Sequence, residues 1–396
     1  MKRTIYYLMT LLMTATLLLT TGCKNDETTA TKVEITGFPL FAEACKSANP
    51  TDNVIVSPLS ITEMLAMLAN GASGETQKQI MDVMDMDASS AEKASETLRM
   101  INNYLPSADK ETRVSIANSL WIDKTFKLHN DYVKASEDML GAEVFNQELC
   151  TEATMKDVNT WCDQNTEGCI DKILDQPLPP EMKLGVINAL YFKGPWQNKF
   201  DKENTADSLF TNADGSKSMV KMMFQSEEFP VWHDDKMAVV AFPYGNGIYC
   251  MDVILPNEGE SLDSCLKDLS KERMDSIHQK MNPFEINVSM PRMEMKCTLS
   301  LNETLKAIGM KDAFNDKTAD FSRIADSPLK VSDVKQVVYI KVDEEGTEVA
   351  AVSEEWAVLS ACIPFEFNMN RPFAFIIRER LTGVVLFIGR IVCLKE

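Results

Sequence analysis

The segment NVIVSPLSITEMLAMLANGASGET, residues 53–76, contains the strongest local structural signals in this chain. A short apolar run ends at Ser57, and Pro58 follows at a position where proline favours the start of a helix. Apolar residues then recur at helical spacing as far as Gly71, a residue type that often ends a helix. Thr76 has the side chain needed to cap the next helix. The segment therefore predicts two consecutive helices.

Farther along the chain, strand patterns become more frequent than helix patterns. Residues 153–174 indicate one more helix, which ends near Gly168, whereas residues 185–194 are almost continuously apolar and end at a Gly-Pro break. Residues 236–245 and 248–257 indicate two strands joined through glycines, and residues 371–392 indicate a hairpin of two apolar strands. Helices first and antiparallel strands later, without regular alternation, predict an α+β fold.

The first residues have the features of a secretory signal. Lys2 and Arg3 precede an apolar run over residues 5–19, which is short for a membrane span. The following Gly22-Cys23 junction resembles a bacterial lipobox, although Thr20 replaces the commoner leucine. This resemblance implies cleavage before Cys23 and lipid attachment to it. Ordinary signal cleavage near the same place is the alternative.

These features divide the chain into three predicted segments. Residues 1–22 form the signal peptide with its lipobox, residues 23–33 the lipidated Cys23 and a flexible polar tether, and residues 34–396 the folded domain. We accordingly expect an exported bacterial lipoprotein that is anchored to a membrane through Cys23. Its folded domain would then be periplasmic or lie at the cell surface, in extracellular space.

The composition restricts the possible partners. A formal net charge of −19 argues against nucleic acid, because binding it needs basic surface to replace counterions. The ten cysteines are scattered and only three histidines are present, so neither a metal site nor a dense disulfide framework is predicted. We therefore expect no cofactor, no metal and no nucleic-acid partner.

The sequence lacks the common motifs of secreted hydrolases. It has no Gly-x-Ser-x-Gly elbow, no His-Glu-x-x-His and no Gly-rich phosphate loop. His129, His233 and His278 have neighbours typical of surface or turn residues, and nothing near Ser57 in the sequence would activate it as a nucleophile. We therefore predict no catalytic residues and no enzyme activity, with a secreted hydrolase as the weaker alternative.

Motifs spread over residues 35–396 resemble those of the serpin family. NVIVSPLSI (53–61) is similar to the family's Asn-x-x-x-Ser-Pro-x-Ser start, and INALYFKGPWQNKF (187–200) is similar to its Asn-x-x-Tyr-Phe-Lys-Gly-x-Trp-x-x-x-Phe. VDEEGTEVAA (342–351) resembles the family's hinge. Each motif alone has low specificity, but their combination is highly specific. Further matches are GASGET (71–76), MMFQ (222–225), DVILPNEG (252–259), MPRMEM (290–295), LKAIGMKDAF (305–314), ADFS (319–322) and the terminal hairpin.

The resemblance implies a single α+β serpin domain with three β-sheets, eight to nine helices and an exposed reactive-centre loop. It also implies a monomeric bacterial serine protease inhibitor of lipoprotein form. In this family a protease cleaves the loop, which then enters the central sheet as a new strand. The implied partner is a target serine protease, held as a covalent acyl-enzyme complex while the inhibitor is consumed.

Residues 341–373, which contain the implied loop, have no single structural period. By helical spacing, Val352 and Trp356 would lie on one face of an amphipathic surface helix. The resemblance implies the inserting loop instead, in which Gly346 permits a bend and Thr347 faces inward. The predicted hinge that enters first comprises Glu345, Gly346, Thr347, Glu348, Val349, Ala350 and Ala351.

Glu355 shares the inward frame of this loop. Burying an unpaired carboxylate costs several kcal/mol, so full insertion is slowed unless a polar pocket or a water-filled end receives Glu355. A serpin fold without inhibitory activity, serving as a binding or interaction lipoprotein, is therefore the first alternative.

The resemblance also assigns residues to the region where the sheet opens. Ser57, Ser60 and Asn188 match the family's polar cluster, in which Gln336 stands where the family normally has a histidine. A glutamine still donates and accepts hydrogen bonds but cannot change its charge with pH. Trp196 matches the tryptophan at the top of the sheet. Helix capping and core packing are compatible roles for these residues.

Counting along the implied loop gives candidates for the cleaved bond. Ser360–Ala361 is the first candidate, and Leu359–Ser360 and Ala361–Cys362 are the alternatives. None of these residues is Arg or Lys, so a trypsin-like protease is not expected. The small or apolar side chains suit elastase-like or subtilisin-like proteases. Inhibition of cysteine proteases by the same loop is a further alternative.

Overall fold

The computed structural model describes residues 37–86, 91–347 and 365–395, and within these ranges it contains nine α-helices. None of these helices is long and apolar enough to cross a membrane. The helices are α1 (Phe38–Ser47), α2 (Pro58–Gly71), α3 (Gly74–Val83), α4 (Ala91–Ala108), α5 (Asn130–Leu140), α6 (Glu152–Asn165), α7 (Leu262–Leu266), α8 (Lys271–Lys280) and α9 (Asn302–Ala307).

The same ranges contain fifteen β-strands. In chain order they are β1 (Val54–Val56), β2 (Arg113–Asp123), β3 (Ala142–Gln147), β4 (Leu184–Pro195), β5 (Ala206–Thr211), β6 (Lys217–His233), β7 (Met237–Tyr244), β8 (Tyr249–Pro256), β9 (Asn282–Pro291), β10 (Met293–Ser300), β11 (Asp333–Val342), β12 (Gly346–Thr347), β13 (Phe365–Asn368), β14 (Phe373–Glu379) and β15 (Val385–Ile391).

Local signals explain how α2 and α3 begin. Ser57 caps α2, because its hydroxyl accepts a hydrogen bond from the Ser60 N–H, and Pro58 occupies the first helical position. The prediction that Thr76 caps α3 was wrong. That helix begins at Gly74 with Ser73 as its N-cap, and the Thr76 hydroxyl instead accepts a hydrogen bond from the Asp320 N–H.

The strands form two hydrogen-bonded sets. One is a six-stranded sheet in the order β10–β11–β4–β2–β3, with β12 paired to the end of β4. The other has nine strands in the order β1–β15–β14–β8–β7–β6–β9–β13, with β5 paired to β6. Strand β6 is 17 residues long and pairs with β5, β7 and β9, so its pairings join these strands into one set, and the structure has two hydrogen-bonded sets where three sheets were predicted. The α+β serpin fold expected from the sequence is confirmed.

Helix α2 occupies the centre of the molecule. It contacts β2, β4 and β11 of the six-stranded sheet and β15 of the other set, and nearly all of its side chains are buried. The opposite face of the six-stranded sheet is covered by α6, where Trp121, Val158 and Trp161 belong to a second apolar cluster. The seam between β4 and β11 is thus packed on both faces.

Candidate functional site

The seam between the parallel strands β4 and β11 is hydrogen-bonded only along part of its length. Cα partners run from Asp333 and Gly185 to Val338 and Leu190. Beyond this stretch, the chain leaving β11 turns back at Asp343, and β12 then pairs antiparallel with the end of β4. The two residues of β12 therefore occupy the edge of β4 at the upper end of the seam.

Gly346 is at the point where the chain approaches β4 most closely. Its φ is +140°, and a Cβ atom at this position would lie 2.2 Å from the Gly194 carbonyl oxygen. A glycine is required here for both reasons, because other residues rarely adopt this conformation and the side chain would have no space. The family resemblance also predicts a bend at Gly346.

Thr347 points into the core at the top of the seam. Its side chain is only 2% exposed, and its Oγ1 lies 3.1 Å from the Tyr244 hydroxyl. Burial raises the pKa of Tyr244 well above its ordinary value, so this hydroxyl stays protonated. The Tyr244 ring stacks on Trp196 with centroids 4.5 Å apart, and Trp196 Nε1 donates to the Asp343 carbonyl at 2.9 Å. Trp196 thus holds the turn that places Thr347.

Two acidic residues before Gly346 fix the base of the hinge. Arg292 Nε donates to both Glu344 carboxylate oxygens at 2.8 and 2.9 Å, and Thr205 donates a further hydrogen bond to Glu344. Burial favours a raised pKa for Glu344, but these hydrogen bonds outweigh it and lower the pKa. Glu345 forms ion pairs with Lys199 at 3.3 Å and Lys202 at 2.8 Å.

Farther down the seam, Gln336 joins β11 to the start of α2. The Ser57 N–H donates to Gln336 Oε1, and Gln336 Nε2 donates to the Ser57 carbonyl, both at 3.0 Å. The Ser57 hydroxyl donates to the Ser60 hydroxyl at 2.9 Å. All three side chains are buried, so these hydrogen bonds replace ones that water would otherwise supply.

Asn188 faces the same helix from the other side of the seam, opposite Gln336 in the register. Its Nδ2 donates to Asn118 Oδ1 at 2.8 Å, and Asn118 Nδ2 donates to Glu63 Oε2 at 2.6 Å. Asn188 is therefore connected to α2 through β2 rather than through Ser57 or Ser60. The structure thus brings Ser57, Ser60 and Gln336 together and places Asn188 in an adjoining amide chain.

Several predicted residues lie outside the described structure. They are the distal hinge residues Glu348, Val349, Ala350 and Ala351, the candidate cleavage residues Leu359, Ser360, Ala361 and Cys362, and the lipidation residue Cys23.

Sequence reasoning missed Glu63, Asn118 and Arg292 as parts of this site. Each contacts a residue more than fifty positions away in the chain. Glu63 alone carried a usable signal, because a charged residue in a helix that is apolar on most faces must find a buried partner.

His278 is half-buried and lies within a helix, not in a turn. It lies on α8 with its Nε2 2.8 Å from the buried Asp252, which also accepts a hydrogen bond from Arg378 Nε at 2.6 Å. Cys250 contacts the same carboxylate, and burial raises the pKa of its thiol well above the ordinary value. A protonated thiol facing a carboxylate is not an activated nucleophile, so we interpret Cys250, Asp252 and His278 as a structural cluster.

The fold and the site together define a protein whose loop starts as a strand at the open end of a central sheet. A family model described as Serpin (serine protease inhibitor) matches residues 32–394, and the chain belongs to that family.

Similar proteins include leukocyte elastase inhibitor from Equus caballus, which is 32% identical over 88% of this chain and 94% of its own length. Glia-derived nexin from Homo sapiens is 31% identical over 90% of this chain and 91% of its own length. Among solved structures, the thermophilic serpin tengpin in its native state superposes with a TM-score of 0.81. That match has 29% identity and covers 95% of this chain and 96% of tengpin.

Proposed function

We propose that this protein is a suicide inhibitor of serine endopeptidases. The observation that carries the proposal is the pairing of Gly346 and Thr347 with β4, because the first residues of the loop then already lie where a new strand would begin. Strand addition continues from such a start by adding ladder hydrogen bonds. Relatives named as an elastase inhibitor and a nexin support the same class of activity.

The proposed mechanism is driven by free energy that the intact protein releases only after its loop is cleaved. A loop held at both ends cannot fill the seam, so the intact protein is kinetically trapped above its best-bonded arrangement. Cleavage frees one end, and about 15 inserted residues at ~3.3 Å each carry that end about 50 Å. A protease still joined through its acyl-enzyme ester moves with it, and its deacylation stalls. The inhibitor itself supplies no catalytic group.

The proposed cleavage site is Ser360–Ala361, with Leu359–Ser360 and Ala361–Cys362 as alternatives. Small or apolar residues at these positions favour elastase-like or subtilisin-like proteases, since trypsin-like primary pockets select Arg or Lys. The Equus caballus relative carries elastase in its name, which agrees with this preference.

We further propose that the protein acts as a monomer tethered to a bacterial membrane by lipid on Cys23. The lipobox-like Gly22-Cys23 junction and the polar residues 24–31 support a tether. Such an anchor would confine inhibition to proteases that reach the cell surface or the periplasm.

The test is to mix the secreted form, made with Cys23→Ser, with pancreatic elastase, subtilisin and papain. We expect a complex with elastase or subtilisin that survives denaturing electrophoresis, and a released C-terminal peptide whose mass identifies the cleaved bond. Trapping of papain alone would favour the cysteine-protease alternative.

A second measurement separates the inhibitor from a non-inhibitory serpin. If every protease cleaves the loop and leaves intact, the inhibitor proposal fails for those proteases. A large gain in heat resistance of the cleaved product would then show insertion that is too slow to trap a protease, as Glu355 could cause. If the cleaved product gains no heat resistance, the result would favour a serpin without inhibitory activity that serves as a binding or interaction lipoprotein.

A further inference from the structure

Glu63 is a carboxylic acid fully buried beneath the six-stranded sheet. It lies on α2 and accepts a hydrogen bond from Asn118 of β2, which in turn accepts one from Asn188 of β4. Asn118 and Asn188 are direct partners across the two strands. A line of amides thus ends at the Glu63 carboxyl and ties β2 and β4 to the central helix.

The unpaired buried polar atoms of Glu63 and of the nearby Asn102 and Asn188 are all acceptor oxygens. Glu63 Oε1, Asn188 Oδ1 and the Oδ1 of Asn102 on α4 have no hydrogen-bond partner. A neutral carboxyl would add an O–H donor to this cluster, whereas a carboxylate would add a charge and a further acceptor. The surroundings therefore favour the protonated form of Glu63.

The electrostatic environment points the same way. Burial has the largest effect and raises the pKa of Glu63 to about 7, against smaller opposing effects of the Asn118 and Asn102 amides. No charged group among the described residues is a cause of this shift. The titratable side chains that are at least partly buried on elements packed against α2 are Tyr104 (α4), Tyr132 (α5), Asp123 (β2), Tyr191 and Lys193 (β4), Asp333, Lys335, Tyr339 and Lys341 (β11) and Arg390 (β15).

Two of the buried groups among these, Tyr132 and Arg390, donate hydrogen bonds to backbone carbonyls. The Tyr132 hydroxyl donates to the Met67 carbonyl, and Arg390 Nη2 donates to the Asn49 and Asp52 carbonyls. The charged side chains of α3 and α5 and of the outward face of α4 are exposed. Glu63 is thus the group whose protonation can change inside the cluster near neutral pH.

Opening the seam must disturb this cluster. Strand β4 can part from β11 only if β2 moves with it, because β2 and β4 are hydrogen-bonded from Arg113 to Ile122. Gln336 holds β11 to the start of α2, so the helix is attached to both sides of the seam. Movement of β2 across α2 breaks or hydrates the bond between Asn118 and Glu63.

We propose that Glu63 is a proton-dependent latch on the opening of the six-stranded sheet. With its proton, Glu63 holds the closed sheet against α2, and without it the sheet opens more readily. This deepens, and rests on, the loop insertion proposed above. The family's histidine position carries the non-titrating Gln336, so pH sensitivity in this region comes from the helix rather than from β11.

The direction of the pH effect follows from linkage. In the closed sheet Glu63 has a pKa of about 7, and once hydrated it returns toward the ordinary value of 4.5. Its stabilisation of the closed sheet is therefore complete below about pH 4.5 and is lost as the pH rises through about 7. The ceiling for complete hydration is a roughly 300-fold larger equilibrium constant for opening, and we expect about a tenfold increase because opening hydrates the carboxyl only in part.

Hydrogen exchange in the intact, purified mature protein tests this latch without any protease. Protection of the β4 and β11 amides at residues 185–190 and 333–338, corrected for intrinsic exchange, is compared at about pH 5.5 and about pH 8. We expect the wild type to lose roughly tenfold more protection at the higher pH than Glu63→Gln, which has the same shape and stays neutral.

Two further variants keep the result decisive. Glu63→Met is also neutral and replaces Glu63→Gln if that variant does not fold, and His278→Gln changes a histidine whose hydrogen-bond partner is Asp252 rather than a member of the cluster. Retention of the wild-type pH effect in His278→Gln supports the latch. If Glu63→Gln and Glu63→Met show the same pH effect as the wild type, the latch proposal is overturned. Loss of the pH effect in His278→Gln would also overturn it. Failure to trap proteases together with a Glu63-dependent pH effect would reject only the proposed function.

Discussion

The Thr347 side chain is packed against the core at the entrance of the seam. Its hydroxyl lies 3.1 Å from that of Tyr244, and the side chain is only 2% exposed. We predict that Thr347→Arg changes the inhibitor into a substrate, because an unpaired buried guanidinium costs at least ~3 kcal/mol and slows insertion roughly a hundredfold. The ratio of trapped to cleaved protein on denaturing gels measures this.

Thr347→Ser is the matched control, since it keeps the hydroxyl and removes only a methyl group. We expect it to trap protease nearly as well as the wild type. Equal trapping by Thr347→Arg and Thr347→Ser would mean that the packing of this side chain does not limit insertion.

The buried Asp252 carboxylate determines part of the stability of the fold in acid. Burial favours a raised pKa, but the charge of Arg378 and the hydrogen bond from His278 prevail and lower the pKa of Asp252 to about 2. An unfolded Asp titrates near 3.9, so the stabilisation is present above about pH 4 and is lost as the pH falls toward 2, by about 2 kcal/mol. Urea unfolding at several pH values should show a shallower acid loss in Asp252→Asn than in the wild type. The exposed Asp207→Asn serves as the control and should follow the wild type.

The residues of the site differ in how far sequence could reveal them. Ser57 and Ser60 were predictable because the Ser-Pro-x-Ser pattern caps a helix and is also a family motif. Asn118 and Arg292 were not, because their partners are 55 and 52 residues away and nothing local specifies such pairs. Physical pairing of this kind becomes visible only once the strands are in register.

At the scale of elements, one ion pair joins the turn before β12 to the junction of β9 and β10. Glu344 is almost fully buried, whereas Arg292 is partly exposed. We predict that Arg292→Ala destabilises the protein by about 2–3 kcal/mol, because it leaves the Glu344 charge buried with fewer hydrogen bonds. We also expect faster hydrogen exchange at the Trp196 amide, which donates to the Glu345 carbonyl.

The control for this ion pair is Lys221→Ala, which removes a surface pair with Asp207 in the same region. Both side chains of that pair are exposed, so we expect a change within about 0.5 kcal/mol. A loss for Lys221→Ala as large as for Arg292→Ala would contradict the role of burial.

Strand pairs that are joined by short turns were predictable from the local sequence pattern. Strands β7 and β8 and strands β14 and β15 are antiparallel neighbours joined by a few residues that include glycine. The parallel pair β4 and β11 joins segments about 150 residues apart, and neither the apolar run of β4 nor the mixed apolar and polar pattern of β11 specifies its partner. The family resemblance placed Asn188 and Gln336, one on each of these strands, in one polar cluster, but it did not indicate that β6 pairs with β5, β7 and β9.

For the whole molecule, the central expectation is that activity depends on the parting of β4 and β11. Ile187 and Lys335 are direct partners across this seam, and parallel neighbours are ~4.8 Å apart, a separation that a disulfide can bridge. We predict that the double variant Ile187→Cys and Lys335→Cys, when oxidised, is cleaved by elastase without trapping it and gains no heat resistance. Reduction should restore both properties, because the seam can then open.

The single variants Ile187→Cys and Lys335→Cys control for the substitutions themselves and should behave alike in oxidant and reductant. Mass spectrometry must assign the new bond to these two residues, since eight other cysteines are present among the described residues. Trapping by the oxidised double variant at the wild-type level would contradict insertion through this seam. Such a result would indicate that inhibition depends on the contact between the protease and the uncleaved loop rather than on the central sheet.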